Sequence, residues 1–311
     1  MGASAAPLIV GPGGSATIST STVIDGASSN EGVVDIQSPS GALDNYDTLD
    51  NAGTLDNTSG CTLYSYNTLE NSGTLDNTGT LYNYGGLNNS GTVTVETIGR
   101  VDGTGTFTQT AGQTTVNGTL TQRSVAINGG TLGGSGTVTA ALSVGAAGTV
   151  GPGNSPGLMQ VFGDADFLAG STLAVELGGL AFGTEYDRLD VADDVATTGV
   201  TEGTVSLADG TVFDIDWFGA FTAGDGDFFD VLVADEFAPF NLLALIFDFS
   251  DAALGAGLAW EATLVDFGGG REALRLSVSA TQTAEIPAPG VLAIFALGLA
   301  GLGYARRRKA A

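Results

Sequence analysis

Histidine is absent from this 311-residue chain, and cysteine occurs once, as Cys61. Without histidine there is no Ser-His-Asp or Cys-His nucleophile system, no imidazole metal ligand and no imidazole base near neutrality. A lone cysteine excludes an intramolecular disulfide framework and a CxxC zinc or redox site. Bases are also scarce. Nine Lys and Arg stand against 34 Asp and Glu, a net charge of −25. Phosphate neutralisation needs cations, so the composition argues against nucleic acid as a partner. Charged residues are only 14% of the chain while apolar residues are 43% and glycine numbers 49. That balance suits a turn-rich β protein and does not suit a disordered one.

What is present is a repeat. From Leu43 the chain reads LDNYDT, LDNAGT, LDNTSGCT, LYSYNT, LENSGT, LDNTGT, LYNYGG, LNNSGT. Leucines fall at 43, 49, 55, 63, 69, 75, 81 and 87, followed by Val93, and every step is six except the eight between Leu55 and Leu63. Asn stands two places past each Leu, at 45, 51, 57, 71, 77, 83 and 89, with Ser65 the exception. A period of six matches no helix face, because helices repeat at 3.6. It matches a short strand and a corner. Thr-Leu-Asp-Asn is the expected strand with Leu facing inward, and the glycine four places on supplies a corner that needs positive φ. A single hexad cannot bury its own leucine, so hexads must stack as a solenoid.

The tyrosines set the coil length. Tyr64 and Tyr82 are 18 residues apart, as are Tyr66 and Tyr84, while Tyr46 and Tyr66 differ by that step plus the two-residue insertion. Three hexads per coil therefore place Tyr46, Tyr66 and Tyr84 in one column and Tyr64 and Tyr82 in another, all pointing outward. The expected fold is an all-β, three-sided parallel β-solenoid of about 18 residues per coil, followed by a β-rich section and one C-terminal transmembrane helix. The exposed aromatic stripe is a candidate surface for sugar rings or another protein, and the bland alternative is that stacked tyrosines only stabilise the ladder.

The organisation reads as leading strands or a cap at 1–42, hexad solenoid at 43–96, irregular solenoid at 97–157, an acidic β-rich section at 158–280, a linker at 281–285 and a tail at 286–311. Residues 1–150 hold 11 acids and residues 151–280 hold 22. Strands are expected at 158–162, 172–177, 187–191, 211–217, 228–233, 242–249, 258–265 and 272–278, forming wider coils or, alternatively, a separate sandwich. The Gly151–Leu158 stretch, with Pro152-Gly153-Asn154-Ser155-Pro156-Gly157, and the later Glu185–Val191 and Gly226–Leu232 resemble strand repeats of autotransporter passenger β-helices. That resemblance implies a β-helical body. The membrane barrel that ends a true autotransporter has no room after residue 280.

From Ile286 to Ala305 run twenty residues without a charge, IPAPGVLAIFALGLAGLGYA, closed by Arg306, Arg307, Arg308 and Lys309. This length spans a bilayer core as a helix, and the basic end stays cytoplasmic. Proline motif, apolar helix and Arg cluster together resemble the PEP-CTERM sorting signal of exported proteins in biofilm-forming Gram-negative bacteria. The resemblance implies an exosortase-type processing protease as partner, transient anchoring in the inner membrane, and delivery to the cell surface or exopolysaccharide matrix. The sorting motif falls on Pro287, Ala288 and Pro289, with Ala288 where the family has Glu. Residues 1–7 lack the basic and apolar regions of a signal peptide, so export requires an earlier start than Met1.

No catalytic, cofactor or metal residue is assigned. The acids at Asp193-Asp194, Asp214, Asp216, Asp225, Asp227 and Asp230 suggest calcium or simply solvated turns, and they match no EF-hand or nonapeptide loop. A polysaccharide-cleaving β-helix would use two carboxylates but would gather them in a basic-lined cleft, whereas the solenoid has only Arg100 and Arg123. Threonine columns raise an ice-binding alternative, which the interspersed Asp and Tyr make uneven. The sequons at Asn57, Asn88 and Asn117 follow from an Asn/Thr-rich repeat, and Cys61 reads as a small residue in the insertion. The expected function is a non-enzymatic, exported structural or adhesive protein with exopolysaccharide or other surface proteins as partners.

Overall fold

A computed structural model describes residues 6–37, 40–193 and 203–281. Within them the chain forms a parallel β-solenoid of three ladders. One ladder stacks Thr48–Asn51, Thr68–Asn71, Gly86–Asn89 and Thr106–Gln109. The second stacks Thr54–Asn57, Thr74–Asn77 and Thr92–Val95. The third stacks Ala42–Asn45, Thr62–Ser65 and Thr80–Asn83. Each hexad contributes one strand to one ladder, so three hexads close a coil.

Register follows the repeat. Leu49 sits over Leu69 and Leu69 over Leu87, steps of 20 and 18 residues. The longer step carries the insertion that ends in Cys61, which is buried at a corner. Leu43, Leu49, Leu55, Leu63, Leu69, Leu75, Leu81 and Leu87 are all at most 1% exposed. Each such burial stabilises the fold by about 1.5–3 kcal/mol before chain entropy is counted.

The second inward position of most hexad strands is asparagine, and it is as buried as the leucine. Asn51 Nδ2 donates to Asn71 Oδ1 at 2.6 Å and to the Thr74 carbonyl at 2.8 Å. Asn71 Nδ2 donates to Asn89 Oδ1 at 2.8 Å and to the Thr92 carbonyl at 2.9 Å. Both amide hydrogens thus reach the next coil, one to its asparagine and the other to the carbonyl that opens the strand after it. That is how a polar side chain is accommodated in an apolar core. Where the ladder is interrupted, an atom is left over. Ser65 stands between Asn45 and Asn83 in register, too short to reach onward, and Asn83 Oδ1 is buried without a partner.

The glycines correct the sequence-based expectation. Gly53, Gly73 and Gly91 do not have positive φ. They are small because corners stack. A Cβ on Gly73 would lie 2.1 Å from the Gly53 carbonyl oxygen, and one on Gly91 would lie 2.2 Å from that of Gly73. Close approach of backbone to backbone, rather than a left-handed turn, selects glycine.

Beyond residue 97 the same three ladders continue. Two long strands, Thr119–Gly134 and Thr137–Pro152, bend round the corners and pair in parallel with two register shifts. Farther on the coils widen. Met159 pairs with Leu189 and Leu173 with Phe213, steps of 30 and 40 residues. One source of the extra length is the connection over 178–187, and the stacking stays parallel as far as Ile246–Asp248. The parallel solenoid thus extends into this section. The end of the stack differs: Arg271–Ala280 runs antiparallel to Phe228–Ala234 and to Leu258–Gly268, forming a terminal hairpin. The strand expected over 242–249 is instead a 3₁₀ turn, Leu242–Ala244, then a short strand. Asn241 Oδ1 accepts from the Leu243 amide at 3.2 Å, and this cap favours the turn.

No helix among the described residues is long and apolar enough to cross a membrane. The sorting residues Pro287, Ala288 and Pro289, the basic cluster Arg306, Arg307, Arg308 and Lys309, and the helix expected over 286–305 lie outside the described residues.

Candidate functional site

The tyrosines occupy outward positions of the third ladder and the corner that follows it. Tyr64 and Tyr82 are one place past an inward leucine, and Tyr46, Tyr66 and Tyr84 are three past. Because each strand repeats its register, the rings must stack. Tyr46 lies over Tyr66 with centroids 4.5 Å apart, and Tyr66 over Tyr84 at 5.5 Å, both with planes 15° apart. Tyr64 lies over Tyr82 at 5.1 Å. The columns are themselves parallel, Tyr64 to Tyr66 at 5.9 Å and Tyr82 to Tyr84 at 6.2 Å. Five tyrosines form one plate.

Its geometry decides what it can offer. The ring faces turn toward one another along the solenoid axis, so solvent meets ring edges and phenolic hydroxyls. Tyr46, Tyr66 and Tyr84 remain 40–50% exposed. Partial burial, followed by the neighbouring Tyr46, raises the Tyr66 phenol above its ordinary value; burial, then Tyr82 and Asp44, does the same for Tyr64.

Beside the plate lies a polar trough that sequence reasoning missed. Tyr66 and Tyr84 lead directly into Thr68–Asn71 and Gly86–Asn89, whose outward residues include Glu70 and Asn88, in register with Thr108. Ser72, Ser90 and Thr110 form the next corner, and the enclosed groove measures about 310 Å³. Asn88 Nδ2 donates to Glu70 Oε1 at 2.7 Å. The signal was available in the outward place after each leucine, where Asp gives way to Glu, Asn and Thr, but depth appears only when coils are stacked.

The acids sort differently from a ligand set. Asp35, Asp56 and Asp76 stack in register on the second ladder; burial first, then the two neighbours, raises Asp56. Asp214 stacks over Asp248 and Glu176 over Asp216, and burial followed by like charges raises both Asp214 and Asp216. Asp225 accepts from the Ala280 amide, Asp227 from the Gly224 amide, and Asp230 from the Arg275 guanidinium at 2.7 and 3.0 Å. Asp193 donates its amide to Asp235, while Asp194 lies outside the described residues. No group of three or more Asp, Glu or Cys among the described residues is arranged to hold a metal ion.

Asp187 is a strongly perturbed carboxyl. Burial pushes it up to about 7 despite two backbone amides, Gly157 at 2.6 Å and Glu176 at 2.9 Å, that bond its oxygens. It fastens the end of the Pro152–Gly157 loop to the neighbouring strands, which is a positioning task. Two of the scarce bases are likewise engaged: Arg188 and Arg271 both reach Asp190, and Arg271 also reaches Asp235. The last coil and the terminal hairpin are joined through these pairs. Comparison with models of known families gives no match, and comparison with curated proteins gives none either.

Proposed function

We infer that this protein is an exported, non-enzymatic scaffold of the cell surface or extracellular matrix, acting structurally or as an adhesin. The observation that supports this most is the tyrosine plate: five outward side chains, repeated by the coil and held rigid by mutual stacking, make a fixed contact surface on a long stiff body. An array of ring edges and hydroxyls suits adhesion, where many weak contacts act together, better than turnover. The fold is compatible with that role and does not dictate it.

The route to the surface rests on the likeness of residues 286–311 to a PEP-CTERM signal. In this reading an exosortase-type protease removes the tail after transient inner-membrane anchoring, and exopolysaccharide or other surface proteins are the partners. Intact-mass measurement of the protein from its native host, with cell fractionation, tests this. The expected result is a species in the surface or matrix fraction whose mass lacks the apolar tail. A full-length species confined to the cytoplasm would overturn it.

A further inference from the structure

The geometry points to the trough formed by Thr68–Asn71, Gly86–Asn89 and Thr106–Gln109 as a binding site for an uncharged, hydroxyl-bearing polysaccharide. This rests on the adhesive reading above and narrows it to one ligand class and one face of the solenoid.

Three features carry it. The first is unused hydrogen-bonding capacity. Glu70 Oε1 accepts from Asn88, yet Glu70 Oε2, Asn88 Oδ1 and the hydroxyls of Ser90, Thr108 and Thr110 take no side-chain or backbone partner among the described residues. Carboxylate, amide and hydroxyl oxygens side by side match the mixed donors and acceptors of sugar hydroxyls. The second is periodicity. Glu70, Asn88 and Thr108 repeat once per coil, a rise of about 4.8 Å, and an extended glycan presents its hydroxyls at a comparable interval. The third is the flank. Gly86 stands where neighbouring coils carry Thr48, Thr68 and Thr106, and a Cβ there would touch nothing closer than 3.8 Å. Gly86, itself outside the groove lining, leaves the stretch between Tyr84 and Asn88 without a side chain. A polymer lying along the face would meet phenolic edges on one side and hydroxyls on the other.

Charge selects the class. The trough has a carboxylate and no base among its lining residues. Asp50 continues the Glu70 column, and Arg100 is tied to Asp102 at 3.2 Å. A polyuronate would bring like charge to a surface that has no cation to offer. A neutral polymer brings none, and its binding depends little on salt.

Affinity electrophoresis of the full chain through gels holding dextran, mannan, hydroxyethylcellulose or alginate tests this. At least one neutral polymer is expected to retard the protein equally in low and high salt, and alginate is expected to leave it unretarded. Asn88→Thr combined with Thr108→Val, both outward changes that leave Leu87 and Phe107 in the core, should weaken retardation about tenfold through lost hydrogen bonds. Asp56→Asn on another ladder should not. Neutral binding that the double variant leaves intact would overturn the trough as the site. Retardation by alginate alone would overturn the class. Retardation by none would overturn the inference, while the scaffold reading would still be judged by the independent mass and fractionation result.

Discussion

Asn51 donates its side-chain amide to Asn71 one coil away, 2.6 Å between nitrogen and oxygen, in a core it shares with the buried Leu49 and Leu69. This bond exists only if the two strands run parallel and in register, so it couples the hexad sequence to the coil geometry. Replacing Asn71 by Ala removes the acceptor for Asn51 and the donor to Asn89 and Thr92. A loss of about 2–4 kcal/mol is expected, because buried groups are left unpaired. Urea denaturation followed by circular dichroism measures it, and an unchanged midpoint would refute the ladder's role.

The opposite sign is expected at Ser65. Asn83 Oδ1 is buried and unpaired below it, and Asn45 Nδ2 reaches the Ser65 hydroxyl only at 3.5 Å. Ser65→Asn completes the column and should stabilise the protein by about 1 kcal/mol. The same denaturation measurement checks it, and destabilisation would show that the site lacks room for the amide.

Two glycines separate the causes of glycine at corners and edges. Gly73→Ala forces a Cβ to within 2.1 Å of a backbone oxygen, and a loss of more than about 3 kcal/mol is expected, in the range of severe overpacking. Gly86→Ala meets open space and should be neutral or stabilising by about 0.5–1 kcal/mol. Equal effects at both positions would contradict the stacking explanation.

Stability should fall as pH rises from about 4 to about 7. Asp187 has its folded pKa raised to about 7 from 3.8, so between these values the folded state binds more protons than the unfolded one. The contribution is present at low pH and is lost as pH climbs through 7. Asp56, Asp214 and Asp216 are raised in the same direction. Thermal unfolding at pH 5 and 8 measures the slope, and Asp187→Asn should flatten its upper part. A higher melting temperature at pH 8 would contradict the assignment.

Tyrosine titration reads the plate directly. Tyr64 and Tyr66 are raised above the ordinary phenol value by burial and then by the next ring in the same column, Tyr82 and Tyr46 respectively. Ultraviolet absorbance near the phenolate band should therefore rise late relative to a free tyrosine, and Tyr66→Phe should diminish the late component, to which the buried Tyr186 also contributes.

The hexad region was legible because its period is self-consistent: leucine, asparagine and tyrosine each return at the same step, so inward and outward sets and the three-strand coil follow from spacing alone. The tyrosine columns were legible for that reason. The glycine role was misassigned because spacing marks a corner but does not report how near the next corner lies. The trough was not legible, since its depth arises from the stacking of Ser72, Ser90 and Thr110 beside Glu70 and Asn88. In the last third, apolar runs located most strands, but direction was hidden. The pairing of Phe228–Ala234 with Arg271–Ala280 depends on contacts 45 residues apart, such as Asp230 with Arg275. The turn at Leu242–Ala244 was missed because an apolar run looks like a strand until its Asn241 cap is seen.

The parallel, in-register stacking of hexads is tested most directly by cysteine cross-linking in a Cys61→Ser background. Asp56→Cys with Asp76→Cys places two thiols at registered positions on neighbouring coils, within reach of a disulfide. Asp56→Cys with Glu70→Cys places them on different ladders. Mild oxidation should consume both thiols of the first pair rapidly and leave the second pair reduced. A reduced first pair, or equal oxidation of both, would contradict the solenoid.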